Sequence, residues 1–106
     1  MRQPYYYGVV ELGSAIPVRV QCADSSDAPQ APDSAPTFTV YDSANAAMSA
    51  YTGTSSSQIN SKTGFYGGSV TASLGNGFAS GSVYTVLWEW TVSSSPRRAV
   101  GTFQVG

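Results

Sequence analysis

The clearest periodicity in the chain lies in Ser82-Val83-Tyr84-Thr85-Val86-Leu87-Trp88-Glu89-Trp90-Thr91-Val92. Side chains alternate across a strand, so Tyr84, Val86, Trp88, Trp90 and Val92 share an apolar face, while Val83, Thr85, Leu87, Glu89 and Thr91 form a mixed one. The pattern predicts an interior strand. Ser93-Ser94-Ser95-Pro96 reads as a turn, and Arg97 to Val105 as its hairpin partner, with Val100 and one of Phe103 or Val105 turned inward. Upstream, Ile16 to Cys22 alternates with Ile16, Val18, Val20 and Cys22 inward. Pro17 cannot donate to a ladder, which places that strand near a sheet edge. Thr37 to Asp42 alternates around Phe38 and Val40.

Other stretches carry weaker patterns. Gly8 to Leu12 reads as a first edge strand closed by Gly13-Ser14, Ala47 to Tyr51 as a strand, and Gln58 to Thr63 as a short strand or an irregular connection. Gly64 to Leu74 predicts a strand with Tyr66, Val70, Ala72 and Leu74 inward, its glycines permitting a bulge. Ala23 to Ala35 has no hydrophobic period and reads as a long loop. Six to eight short strands, turn signals between them and no amphipathic helix describe an all-β antiparallel sandwich. Pro4 favours extended backbone before Tyr5-Tyr6-Tyr7. This start is expected as a short extended N-terminal arm over residues 1–8, ahead of a sandwich domain over 9–106.

Composition narrows the function classes. The chain has 106 residues, room for one core and not two. Only 10% of residues are charged and the net charge is −1, so the Lys/Arg stripe of a nucleic-acid binder is missing. Weak charge repulsion also favours association. No run approaches the roughly 20 apolar residues of a membrane-spanning helix. The opening Met1-Arg2-Gln3-Pro4 lacks the apolar run of a signal peptide, and Cys22 has no second cysteine to pair with. Both point to a reducing compartment, the cytosol that makes the protein, unless a larger particle carries it out. Cys22 reads as a small buried apolar residue.

Two resemblances add to this reading. Leu74-Gly75-Asn76-Gly77-Phe78-Ala79-Ser80-Gly81-Ser82-Val83-Tyr84-Thr85-Val86 resembles the approach to a late strand of immunoglobulin-like and fibronectin-like sandwiches, where a tyrosine hydroxyl bonds back to the corner; Tyr84 takes that place. Trp88 and the lone Cys22 depart from antibody domains. The order of segments also resembles small immunoglobulin-like virion proteins of tailed bacteriophages. The likeness rests on Glu11 to Val20, Ala35 to Tyr41, Thr63 to Val70, Tyr84 to Leu87 and Val100 to Val105. It implies an immunoglobulin-like sandwich and a structural, non-enzymatic role in the virion: capsid decoration or cementing, or a place in the tail or baseplate. The partners implied are other virion proteins, the major capsid protein first, with self-association as a homo-oligomer.

Candidate chemistry is sparse. With no histidine, the commonest general base and metal ligand are both missing, and the many serines read as loop composition. The two glutamates, Glu11 and Glu89, both lie on expected strands, a poor basis for a glycosidase pair. Asp24, Asp27 and Asp33 match no calcium-loop spacing and read as a solvated loop. No cofactor is expected. The candidate interaction residues are Tyr5, Tyr6, Tyr7, Arg97 and Arg98. The tyrosines either add a strand to a neighbouring subunit or form a first strand at home. The arginines protect a strand edge or meet an acidic neighbour. Trp88 and Trp90 share a face, so both are core or both are exposed; exposed, they would stack on sugars and make the chain a carbohydrate-binding or host-adhesion module.

Overall fold

The computed structural model describes residues 5–23, 26 and 28–106. Eight strands form among them: β1 (Tyr5–Val10), β2 (Ala15–Gln21), β3 (Thr37–Tyr41), β4 (Thr54–Ser55), β5 (Ser57–Gln58), β6 (Phe65–Thr71), β7 (Val83–Val92) and β8 (Ser95–Val105). They make a five-stranded sheet in the order β1-β8-β7-β3-β4 and a three-stranded sheet in the order β2-β6-β5. All pairs are antiparallel except β1 with β8. This is the expected all-β immunoglobulin-like sandwich.

The late apolar strand lies inside the larger sheet, between β3 and β8. Tyr84, Val86, Trp88 and Trp90 are buried, as are Phe38 and Val40 on β3 and Ile16, Val18, Val20 and, just past the strand end, Cys22 on the β2 side. Rings fill the space between the sheets: Phe38 lies 4.9 Å from Trp88, and Phe78 lies 4.7 Å from Tyr84. The Tyr84 hydroxyl accepts the Ala79 N–H at 2.8 Å, the corner bond the resemblance implied.

Four expectations need correction. The first strand starts at Tyr5, not Gly8. The free arm is therefore withdrawn for Tyr5 to Gly8, which pair with β8 of their own chain; residues 1–4 lie outside the described residues. Val100 points outward, 40% exposed, because the large rings claim the inner face around it. Trp88 stands opposite Ala99, and Gly101 lies under the Tyr7 ring, so the inner residues there must be small. Leu74 is 71% exposed because the strand has already ended, and Leu74–Asn76 form a single 3-10 turn. Ala47 makes one bridge to Tyr41, and Ser49–Tyr51 form another 3-10 turn in place of a strand.

The β7–β8 hairpin closes on two residues, Ser93 (φ 49°) and Ser94 (φ 67°), both left-handed. Two-residue hairpins favour this geometry but prefer Asn-Gly in it, since a Cβ disfavours positive φ. Asp33 compensates from the segment before β3. Its carboxylate accepts the Ser93 and Ser94 N–H groups at 2.9 and 2.8 Å, and its own N–H bonds the Thr91 carbonyl at 2.8 Å. Those two backbone donors hold the Asp33 carboxyl below its ordinary range.

Replacing Ser93-Ser94 by Asn-Gly is expected to raise unfolding stability by about 0.5–1 kcal/mol in urea titrations. A Cβ on Gly101 would overlap the Tyr7 ring, so Gly101→Ala is expected to cost about 1–3 kcal/mol. The cost should shrink in a Tyr7→Ala background, where a double-mutant cycle measures the coupling; equal costs in both backgrounds would show that the glycine is needed for another reason.

Candidate functional site

Three regions could act on other molecules: the mouth between β1 and β2, the outer face of the five-stranded sheet, and the end of the β7–β8 hairpin.

At the mouth, the three-stranded sheet ends on β2, whose outer backbone groups face no ladder partner. In an antiparallel strand the N–H and C=O of one residue point the same way, so positions 17, 19 and 21 aim together at the open side. Position 17 is a proline, with no N–H to satisfy. The tyrosines serve the other two: the Tyr7 hydroxyl donates to the Arg19 carbonyl at 2.8 Å, and the Tyr5 hydroxyl accepts the Gln21 N–H at 3.2 Å. Tyr7 also accepts the Trp88 Nε1–H at 2.9 Å. Alternation puts both rings on this side, Tyr5 opposite Gly101 and Tyr7 two residues on, and a bulge follows. Tyr6 pairs with Thr102 and Gly8 with Phe103, leaving Tyr7 as the extra residue, and Gly8 (φ 105°) absorbs it. The rings of Tyr5 and Tyr7 stack 6.0 Å apart. Together with Tyr6, Arg19, Gln21 and Phe65 they border a cavity of about 360 Å³.

The register of the five-stranded sheet defines its outer face. Tyr6 neighbours Thr102, which neighbours Thr85 and then Tyr41; Val9 neighbours Gln104 and then Val83; Val100 neighbours Leu87. Tyr6 is 68% exposed, Val9 62% and Val83 48%. Among the described residues the charges of the five-stranded sheet's outer face sit at one end, where Arg98 and Glu89 pair at 3.4 Å. Elsewhere it is apolar, hydroxyl or amide. The sequence pattern marked Val83 and Leu87 only as members of a mixed face and put Val100 inside, so the patch was not visible until the β8 register was known.

The hairpin end holds the remaining candidates. Arg97 pairs across the ladder with Trp90, on the inner face, and is half-buried. Arg98 points outward to Glu89. The two arginines therefore do different things, although they are adjacent in sequence. Trp88 is fully buried and Trp90 is 8% exposed, so neither offers a stacking platform.

Other candidate chemistry is dispersed. Glu11 follows β1 at the Val10–Val105 end of the sheet, whereas Glu89 pairs with Arg98, seven residues earlier on β8. That separates them by roughly 23 Å along the strand, too far for a glycosidase pair. Asp33 is committed to the hairpin, and Asp24 and Asp27 lie outside the described residues. Among the described residues, no three metal-ligating side chains come together and no helix is long and apolar enough to cross a membrane.

Burial pushes the Tyr7 phenol from 10.0 up to about 12, against the opposing hydrogen bond from Trp88. The fold keeps the proton that the unfolded chain releases near pH 10, so this contribution to stability is complete below pH 10 and is lost as pH rises through about 12. Tyr7→Phe is expected to lose about 1–3 kcal/mol at neutral pH, because Trp88 Nε1–H and the Arg19 carbonyl lose a partner. Its stability should then fall less than the wild type's between pH 10 and pH 12 in urea titrations. Parallel alkaline declines would assign the phenol no role there.

Comparison with known protein families, with curated proteins and with solved structures finds no match.

Proposed function

We propose that this chain is a non-enzymatic structural protein of a tailed-phage virion, a capsid decoration or cement protein that binds the assembled shell. The observation that carries the reading is the outer face of the five-stranded sheet, where Tyr6, Val9, Val83 and Val100 stand exposed with charge confined to one end. Large exposed apolar side chains grouped on one rigid face are a means of docking on another protein. A sheet held by ladders on its long strands presents that face without ordering cost at the moment of binding. The resemblance of the segment order to small immunoglobulin-like virion proteins supplies the kind of partner, the major capsid protein, with self-association as a homo-oligomer on the same particle.

The mechanism is linkage. A domain that binds only where neighbouring shell subunits are assembled stabilises that state by mass action, and many weak copies sum to a large effect. Virion assembly in a host cytoplasm is the corresponding location. A place in the tail or baseplate uses the same face with fewer copies.

A second reading, a carbohydrate-binding or host-adhesion module, now draws on the tyrosine-lined mouth instead of the tryptophans. There aromatic rings stand beside Arg19 and Gln21 around a cavity of about 360 Å³.

Mass spectrometry of purified particles separates these readings: copy numbers in the hundreds indicate the head, and a few to a few dozen the tail. In co-sedimentation with shells, Val9→Lys and Val100→Lys are expected to weaken binding at least about tenfold while the fold persists. Unchanged co-sedimentation of both variants, or absence of the chain from particles, overturns the reading. Saturable binding on a glycan array, lost in Tyr6→Ala, would favour the second.

A further inference from the structure

The cavity of about 360 Å³ at the mouth draws on three parts of the chain: β1 contributes Tyr5 and Tyr6, β2 contributes Arg19 and Gln21, and the β5–β6 hairpin contributes Ile59 and Phe65. Its volume falls at the lower end of the roughly 300–1,000 Å³ of small-ligand pockets. Register explains the grouping. Gln21 stands opposite Phe65 and Arg19 opposite Gly67, so the side chains of 19, 21 and 65 share the outer side of the three-stranded sheet. A Cβ at Gly67 would lie 3.0 Å from Ile59 Cδ1 and 3.4 Å from Arg19 Cγ. The glycine thus lets an apolar side chain and the stem of a cation lean together over it.

The polar groups here are open and unspent. Arg19 is exposed, and Tyr5 and Gln21 are half-buried. The Tyr5 hydroxyl accepts the Gln21 N–H, but its own proton has no acceptor among the described residues. Arg98 is neutralised by Glu89, whereas Arg19 has no ion pair among the described residues and no carboxylate borders the cavity. A net charge of −1 draws no anion from a distance, so this one guanidinium sets a local preference for a guest with a negative group. The rings define the body of that guest. Tyr5 and Tyr7 are stacked on each other with centroids 6.0 Å apart, and a flat molecule held between two rings needs about 7 Å, twice a normal contact of about 3.5 Å. No slot for an aromatic guest exists there. Contact is one-sided, on Tyr6, 68% exposed, and the half-buried Phe65, which suits a puckered ring with an apolar C–H face and a rim of hydroxyls that the Tyr5 and Gln21 groups can meet.

We infer that the mouth is a binding site for a pyranose carrying one carboxylate, the uronate or sialate residue of an acidic glycan. Arg19 pairs with the carboxylate, Tyr5 and Gln21 take ring hydroxyls, and the aromatic wall covers the C–H face. The inference rests on the glycan-binding reading of this mouth and adds the charge of the sugar; docking through the outer face of the five-stranded sheet does not depend on it.

The test uses the whole protein, labelled with nitrogen-15, at constant ionic strength. The probes are methyl glucuronide and a methyl sialoside, with methyl glucoside as the neutral sugar and acetate as the acid without a ring. At least one acidic sugar is expected to move the backbone amides of residues 5–7, 19–21 and 65 saturably and to bind about tenfold or more tighter than glucoside or acetate; which of the two does so identifies the sugar. Arg19→Gln should bring the acidic sugar down to the level of glucoside, while Arg98→Gln, the same charge change on the other sheet, should leave it within about twofold. Unchanged spectra away from each substitution show that the variants fold. Equal saturable binding of acidic and neutral sugars overturns the inference but keeps glycan binding at the mouth, and binding of no sugar overturns both. Acetate binding as tightly as the acidic sugar, or equal losses in the two arginine variants, also overturns it.

Discussion

The structure depends on one phenol held between two sheets. Tyr7 takes the Trp88 indole N–H from the five-stranded sheet and gives its own proton to the Arg19 carbonyl of the three-stranded sheet, while its ring covers Gly101. Each contact answers a separate physical demand. A buried indole needs an acceptor, an open strand edge needs a partner, and a glycine inside a sheet leaves a volume to be filled. One side chain meets all three because alternation from Tyr5 sets it on the inner side of β1, and it does so only while β1 stays on β8. The parallel pairing of β1 is thus part of the core and not an attachment to it. With Tyr5 taking the Gln21 N–H, two of the outward backbone groups of β2 are met without a further strand.

The other end of the sandwich is built on the opposite plan. There the hairpin is drawn into a left-handed turn that serine tolerates poorly, and Asp33 reaches across to hold it. The segment before β3 is fixed by the same contact, so the loop between β2 and β3 delivers its end to the hairpin. At the mouth the Trp88 indole N–H finds the Tyr7 hydroxyl, whereas at the hairpin end Trp90 Nε1 and Arg97 Nε have no partner among the described residues.

Much of the fold was legible where large apolar side chains alternate with polar ones, since that contrast marks the buried face directly. β7, β3 and β2 kept the faces their patterns assigned, and Tyr84 made its corner bond. The misses fall where size or local turns override alternation. β8 reads wrongly because its inner residues are Ala99 and Gly101, kept small by Trp88 and Tyr7, so the larger Val100 looked like the core residue. Leu74 follows the strand's parity on paper, but the chain has turned before reaching it. The tyrosine run was noticed for the right reason, three adjacent aromatics needing somewhere to go. Where two of them went depended on the parallel pairing of β1 with β8, which sequence does not announce. Likewise Arg97 and Arg98 looked equivalent until register put one beside Trp90 and the other beside Glu89.

A domain with little charge must settle how it avoids indiscriminate association, since weak repulsion leaves exposed strands and apolar patches free to pair. This chain meets two backbone groups of the β2 edge with tyrosine hydroxyls and keeps its tryptophans inside, leaving adhesion to side chains on one outer face. Contacts through side chains are selective in a way that strand addition is not: a ladder accepts almost any extended segment, while Tyr6, Val9, Val83 and Val100 fit only a surface shaped for them. The Arg98–Glu89 pair at one end of that face gives it a polarity, so a docked partner has one preferred orientation. Meeting part of the β2 edge inside the chain weakens one route by which copies would otherwise join, while β1, β4 and β5 at the other sheet ends keep their outer sides.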